Sequence, residues 1–172
     1  GPDLIRTGLK KLWQENRVVI ENIQYPDSPD HSPMVFLKVF YTCEIGISSN
    51  LKRVLGAPRS IRSIDPDRAM AWVQEQIHFT LADQQKAAVT ASILQKALII
   101  TGGPGTGKTT IISAVLRIFQ KLGIHIMLSA PTGRAAKKMS EATGHEAKTI
   151  HRLLEFSPAR GGFQKNDMHP LS

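Results

Sequence analysis

The sequence contains a single cysteine, Cys43, among its 172 residues. One thiol forms neither an internal disulfide nor a cysteine zinc cluster, so both kinds of scaffold are excluded. Cys43 has apolar neighbours, and we expect it to be a small side chain of the core. Apolar runs such as residues 97–100 are far shorter than the ~20 residues that span a bilayer, so no membrane partner is expected. The first residues lack the apolar segment of a secretory signal, which makes the cytoplasm the expected location.

Acidic residues are scarce relative to basic ones. Lys and Arg number 22 against 14 Asp and Glu, and the formal net charge is +8 at pH 7. Such an excess favours a polyanionic partner, because each neutralised phosphate releases counterions. Ordinary solubility charge is an equal alternative. Much of the excess lies in two clusters: Lys52, Arg53, Arg59 and Arg62, and then Arg134, Lys137, Lys138, Lys148 and Arg152.

The first third of the chain predicts a small α+β module over residues 1–64. Apolar side chains share one face of an expected helix over residues 4–15. Strands are expected at residues 18–20 and 34–41, with a polar, Pro-rich loop at residues 25–33 between them. This order indicates a winged-helix-like or hairpin-containing module, and an irregular linker domain is the alternative.

From residue 65 the pattern changes to helices that alternate with strands. Asp65 and Pro66 suit the start of a helix. Gly123 suits the end of a later one, and Gly161-Gly162 suits an exposed loop. Further helices are expected at residues 83–95, 109–122, 134–142 and 149–155, and strands at 97–101 and 124–129. Because strands and helices alternate, residues 65–172 predict an α/β fold with a parallel sheet.

Residues 102–109 read GGPGTGKT and match the phosphate-binding pattern G-x-x-x-x-G-K-[ST] between an expected strand and an expected helix. Glycines let the backbone turn tightly and aim successive N–H groups at one point, where the helix adds its positive dipole end. Lys108 is expected to contact the β- and γ-phosphates of ATP, and Thr109 to offer its hydroxyl to Mg²⁺. These two residues are the expected catalytic ones. The expected nucleotide contacts are Gly102, Gly103, Pro104, Gly105, Thr106, Gly107, Lys108, Thr109 and Thr110.

Three further motifs flank this P-loop. Upstream, residues 81–89 read LADQQKAAV, where the amide of Gln85, or of its rival Gln84, can read the adenine edge with one donor and one acceptor. Downstream, residues 129–139 read SAPTGRAAKKM at the end of the second expected strand, an edge where ligands bind in open α/β sheets. The hydroxyl of Thr132 can hold a strand phosphate there, and Arg134 or Lys137 adds charge. Residues 148–154 then read KTIHRLL.

In combination, these motifs resemble the RecD family of superfamily 1 DNA helicases, which includes the RecD2-like helicases and the alpha subunit of exodeoxyribonuclease V. The likeness covers most of the chain and is specific after residue 80. It implies a RecA-like fold, a Q-motif glutamine at Gln85, and ATP-driven 5′→3′ unwinding of DNA in repair or recombination. For a longer parent protein, subunits of a nuclease–helicase complex are further partners to consider. The single-stranded DNA contacts that the resemblance implies are Pro131, Thr132, Gly133, Arg134, Lys137 and His151.

Hydrolysis needs a Walker B acid for Mg²⁺, a group that orients water and usually an arginine finger. The acids Glu141, Glu146, Glu155 and Asp167 follow no expected strand. We therefore expect a cut piece of the parent, an incomplete sheet, and nucleotide binding without useful ATPase or helicase activity. Gly1-Pro2, which resemble the remnant of a protease cleavage, agree with this expectation. An AAA+ ATPase and a non-enzymatic DNA-binding fragment are the alternatives.

Overall fold

The computed structural model describes residues 1–24, 31–59 and 61–171. Most of the loop expected at residues 25–33 lies outside these ranges. The chain divides into two compact units, Gly1–Arg59 and Ser60–Ser172. This division lies shortly before the domain boundary expected between residues 64 and 65.

The first unit is a β-hairpin with a helix at each end. Its elements are α1 (Pro2–Gln14), β1 (Val18–Gln24), β2 (His31–Leu37) and α2 (Lys38–Gly56). The strands pair antiparallel, with Val18 opposite Leu37 and Val19 opposite Phe36. Among the described residues of this unit, Val18 is the buried apolar side chain.

Two expectations for this unit are wrong. The strand expected at residues 34–41 ends at Leu37, and Lys38 begins α2, which the sequence analysis did not expect. The reason is the register: Val18 is the first residue of β1 and pairs with Leu37, so the following residues have no partner strand. Their backbone groups bond within a helix instead. Cys43 lies on this helix and is exposed, so it is not a core side chain.

In the second unit, three helices precede the first strand: α3 (Pro66–Ile77), α4 (Asp83–Leu94) and α5 (Lys108–Lys121). The start of α3 is the one expected, because a carboxylate oxygen of Asp65 accepts hydrogen bonds from the N–H groups of Asp67 and Arg68 at 3.0 and 3.2 Å. Beyond α5, Gly123 has a φ of +68° and lets the chain leave the helix.

The rest of the unit is built from short elements. They are β3 (Leu128–Ala130), α6 (Gly133–Thr143), β4 (Ala147–Thr149), α7 (Ile150–Leu153), β5 (Phe156–Ser157), a 3₁₀ turn (Pro158–Arg160) and β6 (Gly162–Phe163). β3 and β4 pair in parallel, with Ala130 opposite Thr149, and β5 and β6 form an antiparallel hairpin. Helices and a parallel strand pair agree with an α/β P-loop fold.

Three strand and loop expectations differ from this arrangement. Residues 97–101 form no strand, and Ile99 is 87% exposed. The strand expected from residue 124 begins only at Leu128, and Gly162 belongs to a hairpin rather than an open loop. A β-branched run becomes a strand only where a neighbour accepts its backbone hydrogen bonds, and the described residues give residues 97–101 no such neighbour.

The core of the second unit lies between α3, α4 and α5. Its buried side chains are Val73, Leu81, Val89, Ile93, Ile111, Ala114 and Ile118. Burial of a Val, Leu or Ile side chain contributes about 1.5–3 kcal/mol, so this cluster anchors the helix that follows the P-loop. Within the described ranges, every helix is too short or too polar to cross a membrane.

Candidate nucleotide and DNA sites

The P-loop leads directly into α5. Gly105 and Gly107 have φ values of +75° and +81°, a region that glycine enters without steric cost. At Gly107 a Cβ atom would also collide with Nε2 of Gln85, and at Gly102 it would lie 2.7 Å from Oγ1 of Thr106. The turn therefore favours glycine at Gly105, a close neighbour favours it at Gly102, and both constraints act at Gly107.

The backbone of this loop presents unused donors. Among the described residues, none of the N–H groups of residues 105–109 donates a hydrogen bond. These groups precede and open α5, where the partial positive charge of the helix also lies. Such a concentration of donors binds an anion, and a phosphate group suits it best.

Lys108 lies across the same loop. Its Nζ donates to the carbonyl oxygens of Gly102 at 2.6 Å and Gly103 at 2.5 Å. The hydroxyl of Thr106 donates to Gly103 O as well, at 2.9 Å. The ammonium thus sits over the loop as a local positive charge, and a phosphate oxygen can replace a carbonyl as its acceptor.

Gln85 connects α4 to the P-loop. Its Oε1 accepts from the N–H of Ala82 at 3.0 Å, and its Nε2 donates to Thr106 O at 3.4 Å. Gln84 is exposed, although both glutamines line a cleft of about 410 Å³ beside Lys108. Sequence reasoning proposed a contact between Gln85 and adenine but missed this contact with the loop.

Thr109 is exposed in the first turn of α5, and its hydroxyl makes no hydrogen bond with another described residue. It is free to ligate a cation. Within the ranges that the structure covers, no group of three or more His, Cys, Asp or Glu side chains could hold a metal ion. Thr110, the last expected contact, is half-buried one residue further on.

A second candidate site lies at the carboxyl edge of β3 and β4. The parallel register places Pro131 and Ile150 just beyond the paired residues Ala130 and Thr149. Both motifs downstream of the P-loop therefore emerge at one edge of the strand pair. Thr132 caps α6, since its Oγ1 accepts from the N–H of Ala135 at 3.2 Å, and its hydroxyl proton remains available to a phosphate.

The expected basic contacts at this edge are exposed. Arg134 lies in the first turn of α6, next to Gly133 at the start of that helix. Lys137 forms an exposed ion pair with Glu141 at 3.9 Å, which is weak enough to exchange for a phosphate. In the other basic cluster, Lys52, Arg53 and Arg59 belong to the first unit and Arg62 to the second.

His151 has aromatic neighbours that sequence reasoning missed. Its ring packs against Phe156 and Phe163 at centroid distances of 5.3 and 5.5 Å. The two phenylalanines lie on either side of the turn at Pro158–Arg160. This spacing around a turn is the sequence signal from which the pairing of their rings could have been predicted.

Comparison with known proteins shows the family of the chain. The AAA domain family matches the chain over residues 85–172, from Gln85 through the P-loop to the end. The chain belongs to this family. The ATP-dependent RecD2 DNA helicase of Deinococcus radiodurans is 29% identical in an alignment 174 positions long, which covers 96% of this chain and 24% of that protein.

Two further relatives are a RecBCD enzyme subunit and a phage helicase. The RecBCD enzyme subunit RecD of Haemophilus influenzae is 41% identical over 138 residues, 60% of this chain and 22% of the relative. The ATP-dependent DNA helicase dda of Enterobacteria phage T4 is 42% identical over 60 residues, 34% of this chain and 14% of the relative. This AAA domain chain is therefore RecD-like, and it spans about a quarter of the length of the RecD relatives compared here.

Proposed function

We propose that the chain is the ATP-binding part of an ATP-dependent DNA helicase of the RecD type. The observation that carries the proposal is the P-loop, whose free N–H groups in residues 105–109 lie beside the ammonium of Lys108. Phosphates of ATP would occupy this cradle. Thr109, with the nucleotide's own oxygens, would hold Mg²⁺, which supplies charge neutralisation at the phosphates.

The chain's own groups bind and orient the nucleotide. The N–H groups and Lys108 hold the β- and γ-phosphates, Thr109 offers a hydroxyl to the cation, and Gln85 lies where an adenine edge could exchange with its present partners. The names of the relatives favour a RecD-type helicase over the alternative of an AAA+ ATPase of another kind. An adenine bound against Gln85 would support the helicase, and an adenine bound elsewhere would support the other kind of AAA+ ATPase.

The finer parts of the proposal follow from the resemblance. Single-stranded DNA is the proposed substrate, held at the β3–β4 edge by Pro131, Thr132, Gly133, Arg134, Lys137 and His151. Unwinding in the 5′→3′ direction, a role in repair or recombination, a cytoplasmic location and association with nuclease subunits are proposed for the longer protein. Residues 65–172 are proposed as the first part of its RecA-like motor domain, with residues 1–64 as an N-terminal module.

The central test is Lys108→Ala. Because the substitution removes a charge-assisted hydrogen bond worth about 1.5–3 kcal/mol, ATP should bind roughly ten- to a hundredfold more weakly in calorimetric titration with Mg²⁺. Lys121→Ala is the matched control, since Lys121 lies in the last turn of the same helix. Equal ATP affinity in the unmodified chain and in Lys108→Ala would contradict the proposed function.

A further inference from the structure

Three aromatic rings pack together in the open beside the β3–β4 edge. Phe156 and Phe163 are a cross-strand pair of the β5–β6 hairpin, with ring centroids 5.0 Å apart, and His151 of α7 contacts both. The two phenylalanines are 45% and 44% exposed. We call His151, Phe156 and Phe163 the aromatic cluster.

Short backbone connections hold the aromatic cluster in place. The N–H groups of Gln164 and Lys165 both donate to Leu154 O at 3.2 Å, so the hairpin returns to the end of α7. Lys165 also pairs with Glu155 at 3.5 Å. The rings are thus fixed at the surface, where a large share of each remains in contact with water.

The ring geometry leaves room for a flat ligand. The interplanar angles are 82° between His151 and Phe156, 44° between His151 and Phe163, and 61° between the phenylalanines. None of these pairs is stacked face to face. A planar group can therefore stack on ring surface that the cluster itself does not cover.

The charge around the cluster selects the kind of planar group. Arg152 follows His151 in α7, and Arg160 lies in the turn between the two strands of the hairpin. Neither arginine forms an ion pair within the described part of the chain. Exposed rings beside free guanidinium groups are the combination that binds single-stranded nucleic acid, through base stacking and phosphate contacts.

We propose that the aromatic cluster is a stacking platform for the bases of single-stranded DNA, with Arg152 and Arg160 contacting the phosphates. The proposal rests on the proposed helicase function. It adds that the protein contacts the bases of the DNA strand as well as its phosphates. Thr132 follows the carboxyl end of β3, and His151 follows the carboxyl end of β4, the strand paired with it in parallel. One DNA strand can therefore contact Thr132 and His151 together. Stacking accepts every base, so the platform should be tolerant of sequence.

The test compares an intact oligonucleotide with an abasic one that carries the same number of phosphates. The unmodified chain should bind the intact fluorescent strand about tenfold more tightly, a difference within the range of one base–aromatic stack. The double variant Phe156→Leu with Phe163→Leu keeps apolar bulk and removes two of the three rings, so its affinity for the intact strand should fall most of the way to that for the abasic strand.

Phe79→Leu is the matched control, because Phe79 is exposed and stacks on no ring among the described residues. It should retain the preference for the intact strand. If the unmodified chain binds both strands equally, the platform is refuted, whatever the variants do. Binding to neither strand refutes it as well, and the ATP titration of Lys108→Ala then reports separately on the proposed function.

Discussion

Gly107 is the residue on which the shape of the phosphate cradle depends most directly. It combines a φ of +81° with a Cβ direction that points at the amide of Gln85. The left-handed backbone and the amide of Gln85, which is distant in the sequence, therefore both disfavour a Cβ atom at this position. Gly103 in the same loop has neither constraint, because a Cβ there would meet nothing within 4 Å.

Gly107→Ala should lower the free energy of unfolding by about 1–2 kcal/mol, the cost of a left-handed backbone for a residue with a Cβ. Displacement of Gln85 should add to this loss. Urea unfolding measures the effect, and Gly103→Ala is the control that should stay close to the unmodified chain. Equal losses in the two variants would show that the left-handed turn is not a constraint.

Gln85 should determine the preference for adenine over guanine nucleotides. Its amide offers one donor and one acceptor, which match the N7 acceptor and N6–H donor of adenine, whereas guanine presents two acceptors, N7 and O6, at the same edge. The Nε2 contact to Thr106 O is long, at 3.4 Å, and can be exchanged for a base. In competition titrations Gln85→Ala should flatten the preference for ATP over GTP, while Gln84→Ala should keep it. GTP that competes as well as ATP against the unmodified chain would disprove the assignment.

Among the elements, α6 and the β3–β4 pair create the proposed DNA surface. The cap at Thr132 begins the helix shortly after β3, so the first two turns of α6 carry Arg134 and Lys137. The rival surface lies on the other unit, where Arg53 occupies the last turn of α2. Its guanidinium donates to Asn50 at 3.2 Å.

Charge removal separates these two surfaces. Arg134→Ala with Lys137→Ala should weaken binding of a single-stranded oligonucleotide and reduce the slope of log affinity against log salt by about 1.4, because two phosphate contacts are lost and each contributes roughly 0.7. Arg53→Ala with Arg59→Ala should change neither quantity. The comparison uses titrations at two salt concentrations. If only Arg53→Ala with Arg59→Ala weakens binding and lowers the slope, the DNA binds the first unit instead.

For the whole molecule, the distribution of buried side chains predicts unequal stability of the two units. In the described part of the first unit, Val18 is the buried apolar residue, whereas the second unit contains the cluster around Val73 and Ile111. Each unit holds one of the two tryptophans: Trp13 is 57% exposed, and Trp72 packs against that cluster.

The fluorescence of Trp13 should change at a lower urea concentration than that of Trp72. The variants Trp72→Phe and Trp13→Phe each leave one reporter, so the two transitions can be recorded separately. Regions with few buried contacts open at lower free energy, which is the reason for the expected order. Coincident transitions would indicate that the units unfold as one body.

The chain as a whole should bind ATP without useful turnover. In the parts of the chain that are described, no strand after the P-loop ends in an acidic residue that could hold Mg²⁺. Steady-state hydrolysis should therefore stay far below the roughly 1–100 s⁻¹ of complete phosphoryl-transfer enzymes, with or without single-stranded DNA. Turnover in that range would show that the chain does carry the groups that hold Mg²⁺ and orient water.

The sequence by itself determined the features that depend on neighbours along the chain. Asp65 caps α3, Gly123 has the left-handed backbone expected of a residue after a helix, and the P-loop runs into α5, because each needs only residues a few positions away. For the same reason the glycine and lysine pattern of residues 102–109 was sufficient to predict a phosphate cradle.

Only the tertiary structure decided the features that need a partner from elsewhere. Residues 97–101 have the composition of a strand but lack a neighbour among the described residues. Lys38 begins a helix because the strand pairing ends at Leu37, whose partner Val18 is the first residue of β1. The contact between Gln85 and Thr106, and the ring cluster around His151, join residues that periodicity cannot bring together. Backbone pairing and side-chain packing between distant segments leave no local pattern, so these parts of the fold and of the candidate sites became visible only in three dimensions.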